Sequence, residues 1–369
     1  MQAISFDMEI CQTHAAHGFT MHQPSLKTIL FSAAMLLGIP GFAANYSAKQ
    51  LSLPNDIGFG CDAFDINDAA QVTGVCYTSE SQPSNGFFTA AKGKYAEELG
   101  LLSGTVSYGY GINNSGTIVG GATLTGDEIF HATIRYKEDI GLTDIGTLGS
   151  DYAYAYAIND YGLFTGMAST PSGEYHVFIA NLSNPHLVDI GGLGGGYTAP
   201  RAINKHGIIV GSGWADGVNS HAFYAKSPSY IFVDLGTLGG TTSYARAIND
   251  NGLIVGYSRV PSLFTLNRAF VVDLKNGSLM RDLGTPVGQE SFAYSVNNHG
   301  QIVGQFMRTD YSTEAAFLCT GDCSDFVDLN LVTSKLPMGV ILVSAQLINK
   351  KGRIVAKGSD KKLYLLTPQ

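Results

Sequence analysis

The chain of 369 residues is 45% hydrophobic and only 14% charged, so it can bury a large core. Its 45 glycines, 19 tyrosines and 19 phenylalanines favour an all-β protein, because glycine turns and aromatic strands are typical of that class. The formal net charge of -8, with no basic run, argues against a polyanionic partner, so we expect no nucleic-acid binding.

The first 43 residues have the composition of an export signal. A short basic start precedes an apolar run over 29–39, and small residues follow up to Ala43. This pattern predicts a signal peptide over 21–43, with translation starting at its first Met and a doubtful leader, 1–20, before it. A buried N-terminal helix is the alternative. Because the apolar run is short for a membrane span, we expect a secreted or periplasmic protein that does not span a membrane.

Export changes the interpretation of the cysteines. Four of them lie outside the leader, as a pair flanking one predicted turn, Cys61 and Cys76, and a pair across a tight loop, Cys319 and Cys323. In an oxidising compartment such local pairs predict two disulfides. Free thiols are the alternative, and no zinc site is expected because neither pair has a second close pair of ligands.

A repeat organises the rest of the chain. One stretch, DLGTLGGTTSYARAINDNGLIVGYS at 234–258, recurs in seven copies, whose motif asparagines follow one another at intervals of 45 to 52 residues. These asparagines are Asn67, Asn113, Asn159, Asn204, Asn249, Asn297 and Asn349.

Each copy carries further landmarks. An acid followed by Leu or Ile occurs at Asp56, Glu98, Asp144, Asp189, Asp234, Asp282 and Asp328. The centre of a short strand, aromatic in most copies, falls at Phe88, Thr133, Phe178, Phe223, Phe270, Phe317 and Tyr364. A glycine three places after the Asn occurs in every copy except the first, which has Ala70. Asn followed by Gly at this spacing predicts a turn, and hence a hairpin between the flanking strands.

Four strands in about 46 residues predict a four-stranded antiparallel blade. The last copy lacks an acid–Leu strand, whereas the N-terminal LPNDIG segment resembles such a strand without a preceding blade. We therefore predict an all-β protein, a seven-bladed β-propeller over 51–369, whose ring the N-terminal strand closes by completing the last blade. An open solenoid would need polar caps at both ends.

The motifs DLGTLGG, ARAINDNGLIVG and HAF, the last at 221–223, resemble the HAF-repeat family of extracellular bacterial proteins. The resemblance covers all seven copies. It is strongest over 143–305 and weakens at both ends, where Ala70 and Ala356 replace glycines. It implies export and a repeat fold, and it implies no established activity.

Several motifs that could bind ligands have structural interpretations. The run GGLGGG at 191–196 precedes a predicted strand rather than the helix that a dinucleotide site needs. His131, His176 and His221 stand at one place in successive blades, too far apart for one metal ion, and we expect each to pair with the adjacent blade or with a turn. The repeated acids should accept hydrogen bonds from backbone groups where the chain crosses between blades.

The predicted innermost strands carry the candidate binding residues. In each inner strand one position, three places before the motif Asn, carries a large side chain. The residues there are Phe64, Tyr110, Tyr156, Arg201, Arg246, Tyr294 and Gln346. Large residues between small ones suit the packing of blades against one another. The alternative is a funnel that stacks on a sugar or pairs with a carboxylate, with Tyr110, Tyr156, Arg201, Arg246 and Tyr294 as its lining.

The sequence singles out no catalytic residue, cofactor or metal ligand. We expect an exported, monomeric binding module for a glycan, peptide or protein. The alternatives are a hydrolase or lyase acting on a carbohydrate-like substrate at the channel mouth, and a structural repeat protein without a small ligand. The fold cannot decide among these functions.

Overall fold

A computed structural model describes residues 46–54, 60–77, 83–262, 266–277, 279–284, 290–308 and 313–369. The predicted leader 1–20, the predicted signal peptide 21–43 and Asp56 of the first copy lie outside the described residues.

The described residues form seven sheets, one for each predicted blade, whose neighbouring strands run antiparallel except at the outer edge of the last blade. Blade 1 contains β2 (Cys61–Ile66), β3 (Val72–Tyr77), β4 (Pro83–Thr89) and β5 (Ala96–Glu98). Blade 2 contains β6 (Ser107–Ile112), β7 (Ile118–Thr123), β8 (Phe130–Arg135) and β9 (Thr143–Gly146). Blade 3 contains β10 (Ala153–Ile158), β11 (Leu163–Ser169), β12 (Tyr175–Asn181) and β13 (Asn184–Gly191).

The same order continues in the next three blades. Blade 4 contains β14 (Thr198–Ile203), β15 (Ile208–Trp214), β16 (Ser220–Lys226) and β17 (Ile231–Asp234). Blade 5 contains β18 (Ser243–Ile248), β19 (Leu253–Arg259), β20 (Asn267–Asp273) and β21 (Arg281–Asp282). Blade 6 contains β22 (Ser291–Val296), β23 (Gln301–Met307), β24 (Glu314–Thr320) and β25 (Val327–Asp328).

Blade 7 joins the two ends of the described chain. It contains β27 (Leu342–Ile348), β28 (Ile354–Gly358), β29 (Leu363–Pro368), the N-terminal β1 (Tyr46–Gln50) and the two-residue β26 (Thr333–Ser334). Two short helices complete the described elements, a 3-10 turn at Ala91–Gly93 and α1 at Leu329–Val332.

The N-terminal strand closes the ring, as predicted. Strand β1 runs antiparallel to β29 with Tyr46 opposite Pro368, and β26 then pairs with its other edge. The closing strand is YSAKQ, however, and not the LPNDIG segment expected from its likeness to the other acid–Leu strands. It therefore begins five residues before the expected start of the propeller at 51, and Tyr46 is fully buried in the last blade.

The first strand of each blade is the innermost. These strands contact their counterparts in both neighbouring blades, and the contact between β2 and β27 completes the circle. The acid–Leu strand is the fourth and outermost in blades 1 to 6. The glycine-rich links therefore cross from the rim of one blade to the inner strand of the next, which confirms the predicted strand order.

The motif asparagines make the predicted turns. Asn249 is buried, and its side-chain oxygen accepts hydrogen bonds from the backbone amides of Asn251 and Leu253. Gly252, three places on, has φ +88°, a conformation that glycine adopts without strain. In the copy that lacks the glycine, Ala70 takes the same left-handed conformation with φ 55°.

Every inner strand contains a β-bulge that the repeat alone did not predict. The pairing of the first two strands of each blade skips one residue of the inner strand. The skipped residues are Phe64, Tyr110, Tyr156, Arg201, Arg246, Tyr294 and Gln346, the same set that the sequence marked as large among small. A bulge re-aims a side chain, so these residues leave the alternation of the strand.

The glycine of the IVG motif, Gly256 in blade 5, permits this bulge. A Cβ at Gly256 would overlap the carbonyl oxygen of Tyr244 and come within 2.9 Å of the Phe270 ring. Phe270 is fully buried, as are the aromatic residues opposite the corresponding glycines of other blades. In blade 1 the partner of this glycine is Phe87, so the assignment of Phe88 to that place was wrong by one residue.

Both predicted disulfides are present. Cys61 and Cys76 lie directly opposite one another on β2 and β3, with their Cα atoms 4.0 Å apart. Cys319 and Cys323 join the end of β24 to the loop that follows, with their Cα atoms 4.8 Å apart.

Candidate functional site: the channel and its two mouths

The inner strands surround a channel with two chemically different ends. One end is the Asn-turn face, formed by the seven turns that begin at the motif asparagines. The other is the crossing face, where links such as GTLGG at 236–240 reach the next inner strand. The two faces are described in turn.

At the Asn-turn face six of the seven motif asparagines bond the next blade. The side-chain amide of Asn249 donates to the backbone carbonyl of Asn297 at 2.9 Å, and that of Asn297 donates to the carbonyl of Asn349 at 3.1 Å. Asn349 donates in turn to the carbonyl of Asn67 at 2.9 Å, across the junction of the last blade with the first. Asn67, Asn159 and Asn204 make equivalent bonds.

The residues next to the asparagines form a second, more polar layer. Asp68, Asn114 and Asp160 are linked by bonds between neighbouring blades, and Asp250 and Asn298 are linked in the same way. The Nζ atom of Lys350, in blade 7, lies 3.2 Å from a carboxylate oxygen of Asp160, in blade 3. This ion pair spans the mouth, so the Asn-turn end of the channel is crossed by a charged side chain.

The titration of these groups follows from their pairing. Burial opposes the charge of Asp160, but hydrogen bonds from Asn114 and Lys350 lower the pKa of its carboxyl. Burial likewise opposes the charge of Lys350, whereas its pairing with Asp160 raises the pKa of its ammonium group. Asp65, deeper along β2, differs because burial raises its pKa to about 6 despite hydrogen bonds from the amides of Ile112 and Ile66.

Within the channel, the predicted residues of blades 1 to 4 come together. The ring of Tyr110 lies 5.0 Å from that of Phe64 and 4.9 Å from that of Tyr156. The guanidinium of Arg201 lies 5.1 Å from the centre of the Tyr156 ring, within cation–π range. Tyr156 is buried, while Phe64, Tyr110 and Arg201 remain partly exposed.

The predicted residues of blades 5 to 7 form a more polar sector. The Arg246 guanidinium lies 5.9 Å from the Tyr294 ring, and the Tyr294 hydroxyl donates to Oε1 of Gln305 at 3.2 Å. Oε1 of Gln346 is buried and has no hydrogen-bond partner within the described part of the chain. Arg201 and Arg246 therefore belong to different stacked pairs.

At the crossing face the structure reveals aromatic residues that the sequence analysis missed. The Tyr197 ring lies 5.7 Å from that of Tyr175 and 5.6 Å from that of Trp214, a residue that is more than a third exposed. In blades 2 and 3, the Phe130 ring lies 5.0 Å from that of Tyr154 and 6.2 Å from that of Tyr108. We call these six residues, from blades 2 to 4, the aromatic platform.

Strand ends position the platform. Trp214 ends β15, Tyr175 begins β12, and Tyr197 precedes β14 directly, so all three fall at one face. The amide of Trp214 donates to the carbonyl of Tyr197 at 2.9 Å. A Cβ at Gly195 would come within 2.5 Å of the Trp214 side chain, so GGLGGG is a tight crossing beneath this residue, as the sequence analysis inferred. The signal that sequence reasoning overlooked was the tyrosine two places before Tyr110 and before Tyr156, which are Tyr108 and Tyr154.

The repeated histidines lie away from the channel. In blades 2 to 4 each pairs with the acid of the outer strand of its own blade: Nδ1 of His131, His176 and His221 lies 2.8 to 2.9 Å from Asp144, Asp189 and Asp234. The expectation of pairing with an adjacent blade was wrong, because strands three and four of one blade bring these positions side by side. The acids also accept from the following loop, as predicted; Asp234 accepts from the Gly236 amide at 2.7 Å.

Among the described residues, no group of three His, Cys, Asp or Glu side chains could hold a metal ion. No helix among those residues is both long and apolar enough to cross a membrane.

Seven sheets in a closed ring define the protein as a seven-bladed β-propeller, with an aromatic platform at one mouth and an ionic bridge at the other. Residues 236–363 match a family described as protein of unknown function (DUF3466). The match covers about a third of the chain. None of the curated proteins matches the sequence.

Solved structures share the fold at low sequence identity. The β-propeller domain of the Trilobed protease from Pyrococcus furiosus has a TM-score of 0.55 and 9% identity, covering 83% of this chain and 92% of that one. YCF48 bound to D1 peptide has a TM-score of 0.54 and 11% identity, covering 90% and 98%. TolB from Acinetobacter baumannii has a TM-score of 0.45 and 13% identity, and the match covers 58% of this chain. This chain spans about half, 52%, of the length of that TolB chain.

Proposed function

We propose that this propeller is an exported binding module that holds a glycan at its crossing-face mouth. The observation that carries the proposal is the aromatic platform, two groups of three neighbouring rings at one end of the channel, in which Trp214 is 36% exposed. Single exposed aromatics are ordinary on protein surfaces, whereas a contiguous group beside a channel is typical of a binding site.

The chemistry of the platform suits a sugar chain. Aromatic faces pack against the apolar face of a pyranose ring, while tyrosine hydroxyls and guanidinium groups can bond its hydroxyls. Tyr110 and Tyr156 lie beside the platform tyrosines Tyr108 and Tyr154, with ring centres 5.3 and 6.0 Å apart. Together with Arg201, Arg246 and Tyr294 they would contact the end of a chain that enters the channel. With the formal net charge of -8 for the whole chain, we favour a neutral glycan.

Export and family membership belong to the same proposal. The disulfides Cys61–Cys76 and Cys319–Cys323 are typical of oxidising compartments. They support a secreted or periplasmic location; the signal peptide at 21–43 and the resemblance to HAF-repeat proteins are further parts of the proposal. The fold likeness to a propeller bound to a peptide makes a peptide the main competing ligand, and a hydrolase or lyase at this mouth would be revealed by product release from a bound glycan.

The test is retention on insoluble polysaccharides. We expect purified protein to bind at least one of the neutral glycans cellulose and chitin, and Trp214→Ala to lower the retained fraction roughly tenfold through loss of a stacking partner. Arg246→Ala should weaken retention less. The matched control is Tyr161→Ala, which removes an aromatic ring that is 73% exposed on the Asn turn of blade 3. Equal retention of the Trp214 and Tyr161 variants, or no retention of the wild type, would contradict the proposal.

A further inference from the structure

A cavity of about 360 Å³ lies on the Asn-turn face, where the last blade meets the first. It is lined by Lys49, Lys92, Lys94, Arg353, Leu365 and Thr367. Lys49 comes from the closing strand β1, Arg353 and Leu365 from blade 7, and the other two lysines from the loop between β4 and β5 of blade 1. The cavity therefore exists only because the ring is closed. We call it the seam pocket.

The seam pocket is lined by four cations and no carboxylate. Among the described residues, none of these four side chains forms a salt bridge. Two other cations of blade 7 do: Lys350 pairs with Asp160, and Lys357 pairs with Asp62. The difference leaves the positive charge of the seam pocket uncompensated by neighbouring side chains.

Backbone contacts hold the pocket in shape. Nζ of Lys49 donates to the carbonyl of Gly93 at 2.8 Å, and Nη1 of Arg353 lies 3.5 Å from the carbonyl of Asp68. Lys92 has φ 59°, in the left-handed region, and its amide donates to the carbonyl of Ala69 at 3.0 Å. The lysine loop is thus pinned to the first Asn turn in a conformation that costs energy for a residue other than glycine.

The sequence around the seam pocket carries an excess of positive charge, like the pocket itself. Residues 329–369 contain seven Lys and Arg but a single acid, Asp360, within a chain whose net charge is -8. Such a local reversal of sign attracts anions towards this sector of the surface. The sequence analysis found no basic run because the four cations of the pocket come from three separate segments.

We infer that the seam pocket binds a small ligand that carries two or more oxyanion groups. A guanidinium matches the geometry of phosphate and carboxylate oxygens, and lysines add adaptable point charges. Leu365, at the base of the pocket, and the lysine stems give an apolar surface for the carbon skeleton of the ligand. Phosphate and carboxylate share this chemistry, and the experiment distinguishes them.

Isothermal titration calorimetry with pyrophosphate and with tricarballylate, a tricarboxylate, tests the inference at low ionic strength. We expect at least one anion to bind with a stoichiometry of one, and the affinity to fall as salt rises. The double variant Lys92→Gln/Lys94→Gln should weaken binding at least tenfold, on the order expected for losing two charge-assisted contacts. Both lysines are exposed, so the fold should persist. The control is Lys275→Gln, an exposed lysine on a turn of blade 5.

Each result has one meaning. Binding of pyrophosphate alone assigns the pocket to phosphoryl groups, and binding of tricarballylate alone assigns it to carboxylates. Absence of binding by both anions, or equal affinity in the double variant and the Lys275 control, overturns the inference. Trp214→Ala should leave anion binding unchanged, because the platform lies on the opposite face, so this result is independent of the glycan proposal.

Discussion

Single asparagine side chains stabilise this propeller in two directions at once. The oxygen of Asn249 closes its own turn, and its amide bonds the carbonyl of the next blade. Because Asn249 is buried, both groups would otherwise lack solvent partners, a cost of about 1–3 kcal/mol for each unsatisfied group. Aspartate could accept in the turn but could not donate to the neighbouring blade. Six of the seven motif asparagines make this bond to the next blade, which gives the recurrence of Asn a physical reason that a turn alone does not supply.

Asp65 gives a residue-scale prediction about pH. Burial raises its pKa to about 6, above the ordinary value near 4, so the folded protein holds this proton at pH values where the unfolded chain has lost it. The free energy of unfolding should therefore fall as pH rises from about 4 to about 6, by up to about 3 kcal/mol from this group, and stay level above that range.

The measurement is urea unfolding of the wild type and of Asp65→Asn across that pH range. The two carboxylate oxygens of Asp65 accept from the amides of Ile66 and Ile112, and Asn keeps an oxygen for one of them. The loss of the other bond is the same at every pH, whereas the ionisation is gone. The difference in unfolding free energy between the two proteins should change with pH and become constant above about pH 6. A difference that is independent of pH would show that Asp65 titrates normally.

At the scale of the element, the inner hairpin depends on a bulge opposite a glycine. Gly256→Ala should destabilise the protein by about 2 kcal/mol or more, because its Cβ would overlap the Tyr244 carbonyl and crowd the buried Phe270 ring. Gly141→Ala is the control, since its added Cβ meets no atom within 4 Å. Chemical denaturation should leave the control within about 0.5 kcal/mol of the wild type. Similar stabilities for both variants would remove the proposed role of this glycine.

The inner hairpin also shows how far sequence reasoning reaches. Asn and Gly at fixed spacing predict the turn at 249–252, and alternating small and large residues predict an inner strand. A bulge shifts the strand pairing by one residue, and no particular residue type marks the bulged position, since Tyr156, Arg201 and Gln346 all stand there. The direction of these side chains therefore needed the structure. The platform was missed for a similar reason, because Tyr175 and Tyr197 become neighbours only when blades 3 and 4 meet.

The whole molecule depends on closure of the ring. The need to complete the last blade was predictable, but the segment that does so was not, because YSAKQ lacks the acid and the leucine of the other outer strands. Strand β1 pairs along its whole length with β29, and Tyr46 is 1% exposed. Burial also raises the pKa of the Tyr46 hydroxyl to about 12.

A shortened chain tests the role of this strand. A chain that starts at Leu51 should have a markedly lower Tm than one that starts at Asn45, and it should aggregate, because the edge of β29 is then unpaired. Thermal unfolding followed by circular dichroism, with light scattering, compares the two. If both chains unfold at the same temperature and remain dispersed, β1 is dispensable and the ring does not rely on it.

The central claim is that the crossing-face mouth holds a glycan, and Trp214 reports on it directly. It is the one tryptophan of the chain and belongs to the aromatic platform. The most direct measurement is tryptophan fluorescence of the purified protein during titration with soluble cello- and chito-oligosaccharides. The account predicts a saturable change in the emission of Trp214 with at least one series, weakened in Arg246→Ala and retained in Tyr161→Ala. Unchanged emission throughout both series, or a response to peptides alone, would contradict it.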